Sequence, residues 1–84
     1  MARRKKQTLE AAFGQVLREF RNEAGISQEK LAMECDLDRT YISMLERGIR
    51  QPSLRSIFSI AKALNTTPSK LLSRVEKMQL YLVV

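Results

Sequence analysis

Between Ser27 and Gly48 the chain alternates twice between a short helical pattern and a hard stop, which limits it to short, closely joined helices. Gln28 to Cys35 carries Leu31, Ala32 and Cys35 at helical spacing, behind a serine suited to capping. Asp36-Leu37-Asp38 breaks that pattern, with Leu37 as the buried plug of a tight turn and Asp38 as the next N-cap. The stretch from Arg39 to Arg47 then turns Ile42 and Leu45 inward, with Tyr41 beside them, and stops at Gly48. Its opposite side carries Arg39, Thr40, Ser43 and Met44.

The flanking sequence extends the same style of construction. Thr8 opens a helix with Phe13, Val16, Leu17 and Phe20 on one face, closed at Ala24-Gly25. Ser53 caps a fourth helix with Leu54, Ile57, Ile60, Ala61 and Leu64 inward. Thr67-Pro68 starts a fifth, whose apolar stripe is Leu71, Leu72, Val75, Met78 and Leu82. With 84 residues there is room for one domain, and 3 Gly, 2 Pro and 6% aromatic residues favour helix over sheet. The expected fold is all-α: a compact five-helix domain with a helix-turn-helix at helices two and three. At this length folding buries only roughly 60% of the unfolded surface, so packing or a partner has to help.

Several classes of function drop out. One cysteine, Cys35, and no histidine exclude a disulfide framework and any cysteine/histidine zinc site. There is no histidine base, paired cysteine or glycine-rich phosphate cradle, so no enzyme, metal or cofactor is expected. The longest apolar run, Leu80 to Val84, is far short of the roughly 20 residues that span a bilayer. Arg3-Arg4-Lys5-Lys6 resembles the start of an export signal, but Gln7, Thr8 and Glu10 interrupt what would follow. A cytoplasmic protein is expected.

Charge points to a partner. The net charge is +6, but residues 7–38 contribute −4 while residues 39–75 contribute +6, with Glu46 the only acid in the latter. The basic half therefore begins at Arg39, where the polar-faced third helix begins. Such an asymmetry suits a polyanion. A short helix with a polar face near its N-terminus is what the major groove of DNA admits, and Ala32 is small where a second helix would cross it.

Residues 13–72 resemble the Cro/repressor-type (Xre) helix-turn-helix family of DNA-binding transcriptional regulators. The matching pattern is Gly14, Leu17-Arg18, Phe20-Arg21, Gly25-Ile26-Ser27-Gln28-Glu29-Lys30-Leu31-Ala32, Tyr41-Ile42-Ser43, Leu45-Glu46-Arg47-Gly48, Pro52-Ser53-Leu54, Ile60-Ala61-Lys62-Ala63-Leu64 and Pro68-Ser69-Lys70-Leu71-Leu72. Asp36 departs from it, standing where the family has glycine, although aspartate tolerates the left-handed conformation better than most residues. The run Leu37-Asp38-Arg39-Thr40-Tyr41-Ile42-Ser43 is also similar to restriction–modification controllers within the family.

The resemblance implies a lambda-repressor-like fold and a role for each position. Arg39, Thr40, Ser43 and Met44 fall where the family faces base edges. Gln28 falls where it grips phosphate and braces the recognition helix. Arg47, Arg50 and Gln51 fall on the loop along the DNA backbone, and Arg21 with Glu46 on a buried structural ion pair. Tyr41 has two readings, a hydroxyl on phosphate or a ring packed on the first helix. The arm Arg3–Lys6 either follows the minor groove or phosphates, or is simply solvated.

Residues 1–7 are thus expected to be a disordered basic arm, 8–73 the DNA-binding domain, and 74–84 a C-terminal extension serving dimerisation. One recognition helix reads half a site, so a homodimer on a palindromic operator is expected. The candidate interface is Leu71, Val75, Met78, Leu80, Tyr81 and Leu82; the alternative is a tail folded onto its own core. The expected function is a bacterial or phage-encoded transcriptional regulator, a repressor since no sensing or activating domain is seen. Its rivals are an antitoxin or phage-type switch with a protein partner, and a protein-interaction module without DNA binding.

Overall fold

Four of the five described helices begin where a hydroxyl side chain takes over an amide proton that helical bonding leaves unpaired. The computed structural model describes residues 7–83, and the side chains of residues 7–78. Its helices are α1 (Leu9–Ala24), α2 (Gln28–Cys35), α3 (Arg39–Glu46), α4 (Leu54–Ala63) and α5 (Pro68–Val83), with no strand among the described residues. Thr8, Ser27 and Ser53 accept from the amides of Ala11, Lys30 and Ser56 at 3.0 Å, and Thr67 from that of Lys70 at 3.2 Å. Asp38 differs from expectation: it holds the N-cap position of α3, but its carboxylate makes no capping bond.

The first four helices end on one device. Gly25, Asp36, Gly48 and Asn65 all take positive φ, between 57° and 75°. At each, the residue's own amide and the next one turn back onto carbonyls of the last helical turn. In the turn between α2 and α3 these are Asp36 to Met33 at 3.3 Å and Leu37 to Ala32 at 2.9 Å. Asp36 therefore adopts the left-handed conformation (φ 57°, ψ 44°) despite its side chain, and Leu37 is drawn against the core.

α1 packs against α3 and α5, α2 against α3 and α4, and α4 also against α5. Val16, Leu17, Leu31, Ile42, Leu45, Ile60 and Leu71 are the largest side chains wholly buried between them. Two apolar residues expected inward are not. Leu54 is 71% exposed and Leu72 41% exposed. Leu54 aligns with Phe58 at i,i+4 on the outer face of α4, while the inner face is Ile57, Ile60, Ala61 and Leu64. α5 also runs unbroken past residue 73, and Val75, assigned to an extension, belongs to the core. On its outer side Arg74 lies 4.2 Å over the Phe20 ring and within 3.5 Å of Glu19 and 3.3 Å of Glu23, tying α5 to α1. The arm Arg3–Lys6 lies outside the described residues.

The end of α3 sits almost on the backbone of α1. A Cβ on Gly14 would clash with the carbonyl oxygen of Leu45 and lie 2.6 Å from that of Glu46; one on Gly48 would lie 2.8 Å from Ala11 Cα. Glycine at both positions lets the helices approach closely. In an exposed helix, alanine for glycine would stabilise by about 0.5–1 kcal/mol. Here the obstacles are backbone atoms of a packed helix, so overpacking outweighs propensity. Gly14→Ala should destabilise the protein by about 1–3 kcal/mol, seen in thermal unfolding as a Tm lower by roughly 4–8 °C per kcal/mol. An unchanged or raised Tm would show that α3 can back away.

Candidate nucleic-acid interface

α3 is placed by one buried carboxylate. The Glu46 side chain is 0% exposed, and four donors converge on it. Arg21 approaches with two nitrogens, Nε to Oε2 at 2.6 Å and Nη2 to Oε1 at 3.1 Å. Gln28 Nε2 donates to Oε1 at 2.9 Å, and Arg18 Nε to the same oxygen at 3.4 Å. The remaining Arg21 nitrogen, Nη1, donates to the carbonyl of Ile26 at 2.8 Å. One anion thereby joins α1, the first residue of α2, the turn between them and the last residue of α3.

Burial pushes the Glu46 carboxyl up, but the hydrogen bonds from Arg21, Gln28 and Arg18 and the charge of Arg21 hold it below its ordinary pKa. Among the described residues, no buried side-chain nitrogen or oxygen lacks a partner. Arg18 is the member sequence reasoning missed. It lies three residues before Arg21, hence on the same face of α1, and its side chain stays 54% exposed.

With its C-terminal end fixed inward, α3 turns its other face out. Arg39 and Thr40 are exposed, and Ser43 and Met44 are half-buried at its edge, while Ile42 and Leu45 point into the core. The structure thus sets Arg39, Thr40 and Ser43 along one strip at the N-terminal end, with Met44 beside it. Gln28 lies on Glu46, bracing the end of α3. Arg47, Arg50 and Gln51 are exposed on the segment after α3.

Tyr41 is half-buried, with its ring packed against the core. Its hydroxyl lies 3.2 Å from Ser56 Oγ at the start of α4, and the Arg50 guanidinium lies 5.5 Å from its ring centroid. The hydroxyl pair Tyr41–Ser56 was not foreseeable from sequence spacing, since its members are fifteen residues apart.

The expected dimer residues divide. Leu71 is 0% and Val75 4% exposed, because they face α1 and α4 within the monomer, so neither can line a free interface. Met78 is half-buried against the core. The side chains of Leu80, Tyr81 and Leu82 lie outside the described residues. Exposed apolar side chains occur on α4 at Leu54 and at Phe58 (57% exposed), and also at Leu9, Met33, Ile49 and Leu72. Cys35 is buried and donates to the Ser59 carbonyl at 3.7 Å; burial pushes its thiol up to about 11, the inert state of a core cysteine. No group of three or more potential metal ligands occurs among the described residues, and no described helix is long and apolar enough to cross a membrane.

Residues 17–71 match the family model described as Helix-turn-helix. Control protein C.BamHI of Bacillus amyloliquefaciens is 56% identical over 61 residues, which is 71% of this chain and 75% of that protein. The crystal structure of the restriction-modification controller protein C.AhdI from Aeromonas hydrophila is similar at 47% identity and a TM-score of 0.72, over 74% of this chain and 94% of that one. The controller C.Esp1396I, solved as a tetramer in complex with its natural 35 base-pair operator, is similar at 33% identity and a TM-score of 0.76, over 86% and 95%.

The Glu46 cluster gives stability a defined acid dependence. A carboxyl whose native pKa is depressed contributes in full above the ordinary carboxylate range, and the contribution is lost as pH falls through the native value. Urea unfolding at a series of pH values should show the protein losing stability below that range. Glu46→Gln should be weaker at neutral pH but lose much less on acidification; equal acid sensitivity would contradict the role of Glu46. Arg21→Ala, which strands the buried anion, should cost about 3–5 kcal/mol at neutral pH.

Proposed function

Since the chain belongs to the helix-turn-helix family of DNA-binding transcriptional regulators, we propose that it is a restriction–modification controller that reads a palindromic operator as a homodimer. The observation that carries this reading is the outward strip of exposed Arg39 and Thr40 with half-buried Ser43, on a helix whose far end is fixed by a buried anion. A groove-reading helix must present its side chains at a fixed angle, because groove and base edges admit little tilt.

On this reading the residues fall into two groups. Arg39 offers a bidentate pair of donors to guanine, and Thr40 and Met44 offer methyl groups to thymine, with Ser43 a short polar contact beside them. Gln28, Tyr41, Arg47, Arg50 and Gln51 meet phosphates and set the register. The ring contact between Arg50 and Tyr41 supports placing these two on the same stretch of backbone. Arg18 joins this group: the cluster holds two guanidinium groups against one carboxylate, so it carries net positive charge on its exposed side. The role asks for binding without catalysis, and it is exercised in the cytoplasm, where the operator is. Repression is the reading for the output, since a protein seated on an operator obstructs it without any further activity.

The partner copy sits on α4. Leu54 and Phe58 form one apolar stripe that the monomer leaves exposed, and a two-fold axis brings such a stripe against its own copy. That C.Esp1396I meets its operator as a tetramer supports self-association. Leu71 and Val75, being core, have no part in it.

Arg39→Ala should cost about 1–3 kcal/mol on the operator and little on random duplex DNA, whereas Arg50→Ala should weaken both about equally and flatten the salt dependence by about 0.9 in log–log slope. If the two variants behaved alike in salt-titrated binding, the division into base and phosphate contacts would fail. Phe58→Glu should yield a folded monomer by sedimentation, with operator binding reduced at least tenfold. A Phe58→Glu chain that still sediments as a dimer would move the interface off α4.

A further inference from the structure

We propose that Ser56, a buried hydroxyl in the first turn of α4, is a positioning residue for DNA binding: it turns the Tyr41 hydroxyl proton outward, toward a phosphate. The inference rests on the reading of Tyr41 as a phosphate contact and adds to it the device that orients the contact.

Three hydroxyls share their protons in series. Ser53 Oγ accepts the backbone N–H of Ser56 at 3.0 Å, as the N-cap of α4. Its own proton goes to Ser56 Oγ at 2.9 Å. Ser56 is only 6% exposed, so its single proton needs an acceptor inside the protein. The acceptor within reach is the Tyr41 hydroxyl oxygen, at 3.2 Å. Tyr41 thus receives a hydrogen bond from the protein side, and a hydroxyl has one proton to give. That proton is left to point away from Ser56.

The polarity of this chain suits an anion. A tyrosine that spent its proton on Ser56 would present a bare oxygen lone pair to a phosphate and repel it. Running from the α4 cap through Ser56 to Tyr41, the chain presents a donor instead, already oriented before DNA arrives. Each link also polarises the next, which strengthens the terminal donor. The Tyr41–Ser56 bond further ties the first turn of α3 to α4, helices whose backbones otherwise make little contact.

The test is a double-mutant cycle in salt-titrated operator binding with the full-length protein. Tyr41→Phe and Ser56→Ala should each weaken binding about ten- to a hundredfold, the value of a hydrogen bond to a charged group. The double variant should be no weaker than Tyr41→Phe alone, and Ser56→Thr should restore binding. The salt slope should stay at its unsubstituted value in all of them, since the lost donor is neutral. A merely structural role for Ser56 would disturb Arg50 as well and lower that slope. A second variant avoids removing the hydroxyl that α4 buries. Ser53→Asp keeps the cap but can only accept, so Ser56 donates to it, and the Ser56 oxygen, left without a donor, draws the Tyr41 proton inward. The binding it loses should be larger in the Tyr41 protein than in the Tyr41→Phe protein, where only the added negative charge acts. If Tyr41→Phe binds normally, the phosphate reading of Tyr41 and the relay fall together. If Tyr41→Phe weakens binding but Ser56→Ala does not, or the two losses add, Tyr41 remains a contact and the relay is refuted.

Discussion

The placement of α3 depends on one negative charge kept out of water. Glu46 closes α3, and its carboxylate is reached by α1 through Arg21 and Arg18 and by α2 through Gln28. A lone buried carboxylate would be too costly to ionise, so the ionised state requires these donors to be in place. The converse also holds. Arg21 is almost wholly buried and needs its anion, and it spends its remaining nitrogen on the carbonyl of Ile26. The three helices therefore share a single satisfied arrangement, and the angle of α3 is set by it.

Close contact finishes what charge begins. Without a side chain at Gly14 or Gly48, the end of α3 can rest against the backbone of α1 near Ala11. Ile42 and Leu45 then fill the core from one side of α3, which leaves Arg39, Thr40 and Ser43 on the other. At the opposite end of the helix Tyr41 reaches Ser56, so both ends of an eight-residue helix are held by side chains from other elements. A helix this short has little stability of its own and takes its position from what surrounds it. For a groove reader that dependence is useful, since position is the property that recognition requires.

Much of this was legible in the sequence because it is local. Thr8, Ser27, Ser53 and Thr67 stand before apolar runs and do cap helices, and Gly25, Asp36 and Gly48 follow them and do take positive φ. Helix type and order follow from a period of 3.6 that Gly and Pro interrupt. The Arg21–Glu46 pairing spans 25 residues and was suggested only by resemblance to a family. What stayed hidden is tertiary. Periodicity says which residues share a face, but not where the core ends, so it does not show that Leu54 lies outside the core and Leu71 and Val75 within it. The Asp38 carboxylate had the right position for a cap and makes no such bond. Gly14 looks like a poor helix residue until the carbonyls of α3 are set beside it. Ser56 looks like an ordinary surface serine until Tyr41 arrives from another helix.

On the proposed function, α3, held at a fixed angle by Glu46, reads DNA sequence as one half of a symmetric pair. Selecting bound duplexes from a random pool tests this most directly. A symmetric pair should enrich an inverted repeat whose half-sites lie about one helical turn apart, or a multiple of it, centre to centre. An enriched pool without two-fold symmetry, or no enrichment over the starting pool, would contradict it.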